Sequence, residues 1–187
     1  MESNVKNCLL AEMRRDLAHS QKKGLHFLLS AALIWTTVFL LHTSKLTIST
    51  KNILTIVCSA PIFMIAMLFA RLIKVNFFER SNPLSIPGIM FAMNQILYIP
   101  ISVWMFYECP EKMLMAYAVV TGAHLFPFAW LYCSNVYLFF SVTITIAAIT
   151  VGWLFPSAVL AAVMLLLFVV FCICLFAEYR KDEKKLD

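Results

Sequence analysis

The sequence predicts an all-α integral membrane helical bundle of six transmembrane helices, with both termini on the cytoplasmic side. Three observations carry that expectation. First, 62% of the 187 residues are hydrophobic and 13% charged, where soluble domains average about 45–50% and about 25%. Second, no Asp, Glu, Lys or Arg occurs between Lys112 and Glu178, a run long enough for about three spans of about 20 residues each. Third, twelve of the fifteen cations fall on one side of the implied topology. Lys6, Arg14, Arg15, Lys22 and Lys23 precede the first span; Arg71, Lys74 and Arg80 follow the second; Arg180, Lys181, Lys184 and Lys185 follow the sixth. Lys45, Lys51 and Lys112 fall opposite. Basic residues accumulate in cytoplasmic loops, so the termini are assigned to the cytoplasm, and an even number of spans agrees.

Residues 1–24 form an N-terminal segment that can fold as an amphipathic helix. Val5, Leu9, Leu10, Met13 and Leu17 make a stripe about 140° wide, with Arg14 and Arg15 off it. The stripe predicts an interfacial helix on anionic headgroups; a solvated tail is the other reading. No cleavable leader is expected, because the first apolar stretch starts near Leu25 and continues at spanning length.

Uninterrupted apolar runs place the spans at about 25–43, 53–73, 86–107, 113–133, 136–155 and 157–177. The first two are separated by the polar connector Lys45 to Asn52. Lys74 to Pro83 carries charges and an Asn82-Pro83 turn, and Glu108, Pro110, Glu111 and Lys112 make a short charged loop. Ser134-Asn135 and Pro156-Ser157 supply the turn chemistry inside the uncharged run. Trp104 and Tyr107, Trp130 and Tyr132, Trp153, and Tyr179 stand near four span ends, as interfacial aromatic residues do. Residues 178–187 are a charged tail assigned to the cytoplasm.

Polar groups at depth single out spans three and four. Counted from Pro110, His124 lies 14 residues into span four, and Gln95 and Asn94 lie 15 and 16 residues into span three. At about 1.5 Å per residue the three share a depth to within about 3 Å. Tyr117, Thr121 and His124 are spaced by four and three on one helix face, and Asn94 and Tyr98 share a face by the same rule. A polar cavity is therefore expected from Asn94, Gln95 and His124 at the midplane, with Tyr98, Tyr117 and Thr121 above. Polar side chains at that depth avoid lipid and point into the bundle. Interhelical hydrogen bonding that merely fixes register, worth about 0.6 kcal/mol per contact, is the competing reading. Pro61, Pro100 and Pro127 are expected to kink spans two, three and four, freeing backbone carbonyls as in transporter helices. Gly88, Gly122 and Gly152 form no GxxxG repeat, so close backbone crossing is not expected.

The six cysteines suggest no disulfide framework, four of them standing in or at the ends of apolar spans. One deep histidine with no deep acid argues against an intramembrane hydrolase. His19, His26 and His42 lie at other depths from His124, which argues against a metal or haem centre. A non-enzymatic protein without metal or cofactor is expected. The net charge of +5 is accounted for by topology and calls for no nucleic acid.

The segments CSAP (58–61), NPL (82–84), MNQILY (93–98), PEKMLMAYAVVTGAHLFPFAWLY (110–132) and LFAEY (175–179) resemble a family of small bacterial polytopic membrane proteins known as a domain of unknown function. The likeness runs from about Glu12 to Tyr179. It implies the bacterial cytoplasmic (inner) membrane and transfers no substrate, cofactor or catalytic residue. The expectation is a small-solute channel or transporter. The alternative is a membrane interaction or envelope-maintenance protein. The expected partners are the lipid bilayer, a small polar solute under the first reading, and a second copy of the chain if it oligomerises.

Overall fold

The computed structural model describes residues 2–77 and 81–184. Arg80 and Lys185, counted above among the cytoplasmic cations, lie outside the described residues. Regular structure is all-helical among those described: α1 (Glu2–Ser20), α2 (Leu25–Thr43), α3 (Ile48–Ser59), α4 (Ile62–Leu72), α5 (Ser85–Glu108), α6 (Met113–Ala123), α7 (Phe126–Leu131), α8 (Asn135–Leu154) and α9 (Ser157–Glu183). Short 3₁₀ turns, Lys22–Gly24 and Pro110–Lys112, lead into α2 and α6. Among the described residues, five segments are long and apolar enough to cross a membrane unaided, α6 and α7 counting as one with their leading turn. The pair α3 and α4 passes the same test jointly but is bent by 47°.

Local chemistry explains most of the boundaries. Thr47 caps α3 by accepting from the Thr50 amide at 3.3 Å, and Ser134 caps α8 by accepting from the Tyr137 amide at 3.2 Å. Gly24 opens α2 at φ 72°, a left-handed conformation that favours glycine. A Cβ there would also stand 3.0 Å from the Tyr132 ring. Pro61 sits at the break between α3 and α4 and Pro127 in the first turn of α7, just after the break at His124. Proline cannot donate to the ladder and clashes with the preceding turn, so both breaks have a cause in sequence. Pro100 behaves otherwise, since α5 runs through it from Ser85 to Glu108 without interruption.

Hydrogen bonds define the two ends of the bundle. At one end the Gln21 amide donates to Asn76 O at 3.1 Å, the Asn82 amide donates to Met13 O at 2.7 Å, and Lys23 meets Glu178 and Asp182 of α9. At the other, the Asn52 amide donates to Pro110 O at 2.8 Å, Lys51 Nζ to His42 O at 3.0 Å, and Lys112 Nζ to Gly152 O at 2.7 Å. The last two lysines thus satisfy carbonyls at the C-terminal ends of α2 and α8, where the helix dipole favours a cation. Helix α1 and the end of α9 therefore lie at the same end of the bundle.

In the interior, α2 packs between α9 and α4, α6 lies along α8, and α8 also packs on α9. Trp35, Phe168, Phe171, Leu114 and Met164 fill the centre, each fully buried. Close backbone crossing does occur, against expectation. A Cβ on Gly122 would lie 2.6 Å from Thr145 Oγ1 and 2.9 Å from the Thr145 backbone nitrogen. One glycine at the contact point of α6 and α8 suffices; no repeat is needed.

Two terminal segments depart from a plain reading of the sequence. Helix α9 continues past residue 177 to Glu183, bringing the first part of the charged tail into the helix. On α1 the apolar stripe is divided. Leu17 is buried against the bundle and Leu10 and Met13 are half-buried, whereas Val5 and Leu9 are exposed. Arg14 is pinned beneath the bundle, its Nε donating to Trp130 O at 2.7 Å and its guanidinium 4.7 Å from the Trp130 ring centre.

Candidate functional site

The two breaks converge on one cavity of about 60 Å³ inside the bundle. Such a volume accommodates a few waters, each needing about 10–15 Å³ of this measure. From α6 and its break come Tyr117, Thr121 and His124, from α5 Gln95, and from the start of α4 Ile62 and Phe63. Ser59, the last residue of α3, accepts a hydrogen bond from Tyr117 Oη at 2.7 Å, tying one break to the helix that carries the other.

His124 is where the break acquires a chemical consequence. The Leu125 amide bonds back to Gly122 O rather than to Thr121 O, so the Thr121 carbonyl loses its helical donor. His124 Nδ1 lies 2.7 Å from that carbonyl. A carbonyl can only accept, so Nδ1 carries the proton and, in the neutral ring, Nε2 is the acceptor. Thr121 Oγ1 donates to Tyr117 O at 2.8 Å, and Gln95 Nε2 reaches Thr121 Oγ1 at 3.5 Å across the α5–α6 boundary.

Of the six residues expected to form the polar centre, Gln95, Tyr117, Thr121 and His124 line this cavity. Asn94 and Tyr98 do not. They bond to each other along α5, the Asn94 amide donating to Tyr98 Oη at 2.9 Å. Adjacent residues on a helix point about 100° apart, so Asn94 and Gln95 cannot both face α6. Gln95 does, and Asn94 turns aside with Tyr98.

Aromatic layers flank the cavity above and below. Trp35 on α2 lies 5.7 Å from the Tyr117 ring and 6.0 Å from Phe168 of α9, roofing the side toward Lys112. On the opposite side Phe128, Tyr132 and Tyr137 form a triangle of rings 5.8 to 5.9 Å apart. Tyr137 Oη donates to Lys23 O at 3.0 Å, anchoring that layer to the turn before α2. Spacing along the chain gives no sign of these layers, because their members come from α2, α6, α7, α8 and α9.

Below the lower layer lies a charged set missed by sequence reasoning. Lys23, only 3% exposed, places Nζ 3.0 Å from Glu178 and 2.7 Å from Asp182. Glu178 also accepts from the Ser134 hydroxyl that caps α8. The sole hint in the sequence is that Lys23 immediately precedes the left-handed Gly24.

Comparison with known proteins bears on kinship. The family of unknown function DUF7010 matches residues 10–178. The chain belongs to that family. The match takes in every residue of the cavity, both helix breaks, and Lys23 and Glu178 of the charged set. No curated protein and no solved structure matches the chain. The membership therefore carries no activity to the cavity, and its reading rests on geometry.

Proposed function

We propose that this family member is a six-span protein of a bacterial cytoplasmic membrane, both termini cytoplasmic, that conducts or carries a small polar solute through the cavity at His124. The orientation is supported by the cations at the end shared by α1 and α9, among them Arg14, Lys22, Lys23, Arg71 and Arg180. The solute reading rests on one observation: two proline-associated breaks, one in α3/α4 and one in α6/α7, meet at the same mid-bundle cavity. Interrupted helices expose backbone carbonyls and amides to a bound solute without any charged side chain. The aromatic layers narrow the cavity on either side, and the volume limits the solute to a few non-hydrogen atoms. No catalytic step and no cofactor are part of the proposal.

A second reading, a non-catalytic membrane interaction or envelope-maintenance protein, is favoured by one feature. Several polar groups near the cavity already bond within the chain, Tyr117 to Ser59 and Asn94 to Tyr98 among them. Flux measurement separates the two. In proteoliposomes, His124→Ala and Gln95→Ala are expected to change the permeation of water, urea or glycerol at least tenfold while thermal stability falls only a few degrees. Permeation equal to that of empty liposomes for the unaltered protein, with the variants differing only in stability, would leave the second reading standing.

A further inference from the structure

A second cavity, of about 290 Å³, opens beside the first at the cytoplasmic end. That is close to the lower bound of small-molecule sites, about 300–1,000 Å³. It lies between the start of α2, α4 and α5, and its floor includes Leu17 and Gln21 from the end of α1. Helix α5 packs chiefly on α6 and α7. Its cavity-lining residues Ile89 and Met93 are also 46% and 44% exposed on the apolar outer surface. The cavity thus has a wall through which a molecule dissolved in the bilayer can reach it.

Two side chains inside it lack what buried polar groups normally have. His26 and Ser85 are both more than nine-tenths buried and both line the cavity, and neither His26 Nδ1 nor Ser85 Oγ has a hydrogen-bond partner. A buried polar atom left unpaired pays its full desolvation penalty, and such groups call for a ligand, a water or a functional reason. Gln21 Nε2 spends one bond on Asn76 O and keeps its second hydrogen and its oxygen. The remaining walls are aromatic, with Phe27 and Phe77 at 5.6 Å and Phe27 edge-on to Phe63 at 5.5 Å.

Among the described residues the lining contains no Lys, Arg, Asp or Glu. A phosphate headgroup placed against these side chains would be desolvated without a countercharge from them, which is costly. A planar uncharged ring bearing carbonyl acceptors meets each feature. Its faces fit among the phenylalanines, its oxygens accept from Ser85 and His26, and its tail leaves past Ile89 and Met93 into lipid. His26 is the second residue of α2 and Ser85 the first of α5, so both polar groups stand near the end of the spans, where a headgroup attached to a bilayer tail would be held.

We propose that this cavity binds the headgroup of a membrane-borne quinone. The proposal is independent of solute passage at His124. The test titrates the purified full-length protein in detergent with a short-chain ubiquinone and with menadione, following quenching of tryptophan fluorescence. Saturable binding is expected, weakened about tenfold or more by His26→Leu and by Ser85→Ala. Ser85→Ala should leave the stability of the ligand-free protein unchanged or raised, since it removes an unpaired hydroxyl. Ile89→Trp fills the lipid-side wall while keeping both polar groups and should abolish binding. His124→Ala should not alter it. Binding that fails to saturate, that survives Ile89→Trp, or that dioleoylglycerol or phosphatidylglycerol displaces as readily as quinone overturns the proposal.

Discussion

Replacing Lys23 by Met tests how the end of the bundle shared by α1 and α9 is held together. The ammonium is 4% exposed and lies within 3.0 Å of Glu178, whose side chain is 19% exposed, and 2.7 Å from Asp182, which is 44% exposed. Methionine preserves the length of the stem but leaves the part-buried Glu178 beside Ser134 with no cation. Removing one partner of a buried pair costs about 3–5 kcal/mol. Asp182 keeps much of its hydration, so its share is discounted and the lower figure, about 3 kcal/mol, applies. For a chain of this size each kcal/mol moves the melting temperature about 2–4 °C, so a fall of about 6–12 °C is expected. Thermal denaturation of the detergent-purified protein reads it. The double variant with Glu178→Gln should recover part of the loss, with a coupling of about 1–3 kcal/mol. A shift below 2 °C, or strictly additive single variants, would refute the claim that this pair joins the turn before α2 to α9.

The crossing of α6 and α8 makes Gly122→Ala a second test. The new methyl meets backbone at 2.9 Å, and a loss of about 1–3 kcal/mol is expected, as for overpacked cores, again read by melting temperature. Ser134→Ala removes both the cap of α8 and a donor to Glu178; about 1–2 kcal/mol should be lost, and a neutral outcome would dismiss the cap. Orientation is open to chemistry. Cys109 lies at the end opposite α1, whereas Cys8 and Cys133 are at the α1 end and exposed. In intact cells a membrane-impermeant maleimide should label single-cysteine Cys109 protein, and should label the Cys8 and Cys133 versions only after lysis. The reverse pattern would invert the topology.

What could be read from sequence divides along a physical line. Helix existence and span edges are governed by the local run of apolar residues, and α2, α5 and α8 begin or end within about a residue of where hydropathy and turn chemistry put them. The clustering of Tyr117, Thr121 and His124 follows from helical spacing, and the approach of Gln95 from a short loop between antiparallel neighbours. Asn94 shares the depth of Gln95 but not its helix face, and pairs with Tyr98 instead. The Trp35–Phe168 contact, the Tyr137–Lys23 hydrogen bond and the Lys23–Glu178 pair join residues more than a hundred positions apart, and no periodicity within one helix encodes such contacts. Nor does composition distinguish Pro61, where the chain bends, from Pro100, where α5 continues.

The central claim is that a solute-sized site, reached from water, lies between the broken helices. Thr121→Cys in a background with the six native cysteines replaced by serine or alanine puts one thiol in that cavity. Silver ion, small enough to travel a narrow polar path and strongly reactive with thiolate, is applied to sealed vesicles from either side, and the remaining free thiol is titrated after denaturation. Modification from both sides at rates well above that of the same substitution at the packed position Ile144 is predicted. Equal protection of the two thiols would contradict the account and make the centre of this bundle dry packing.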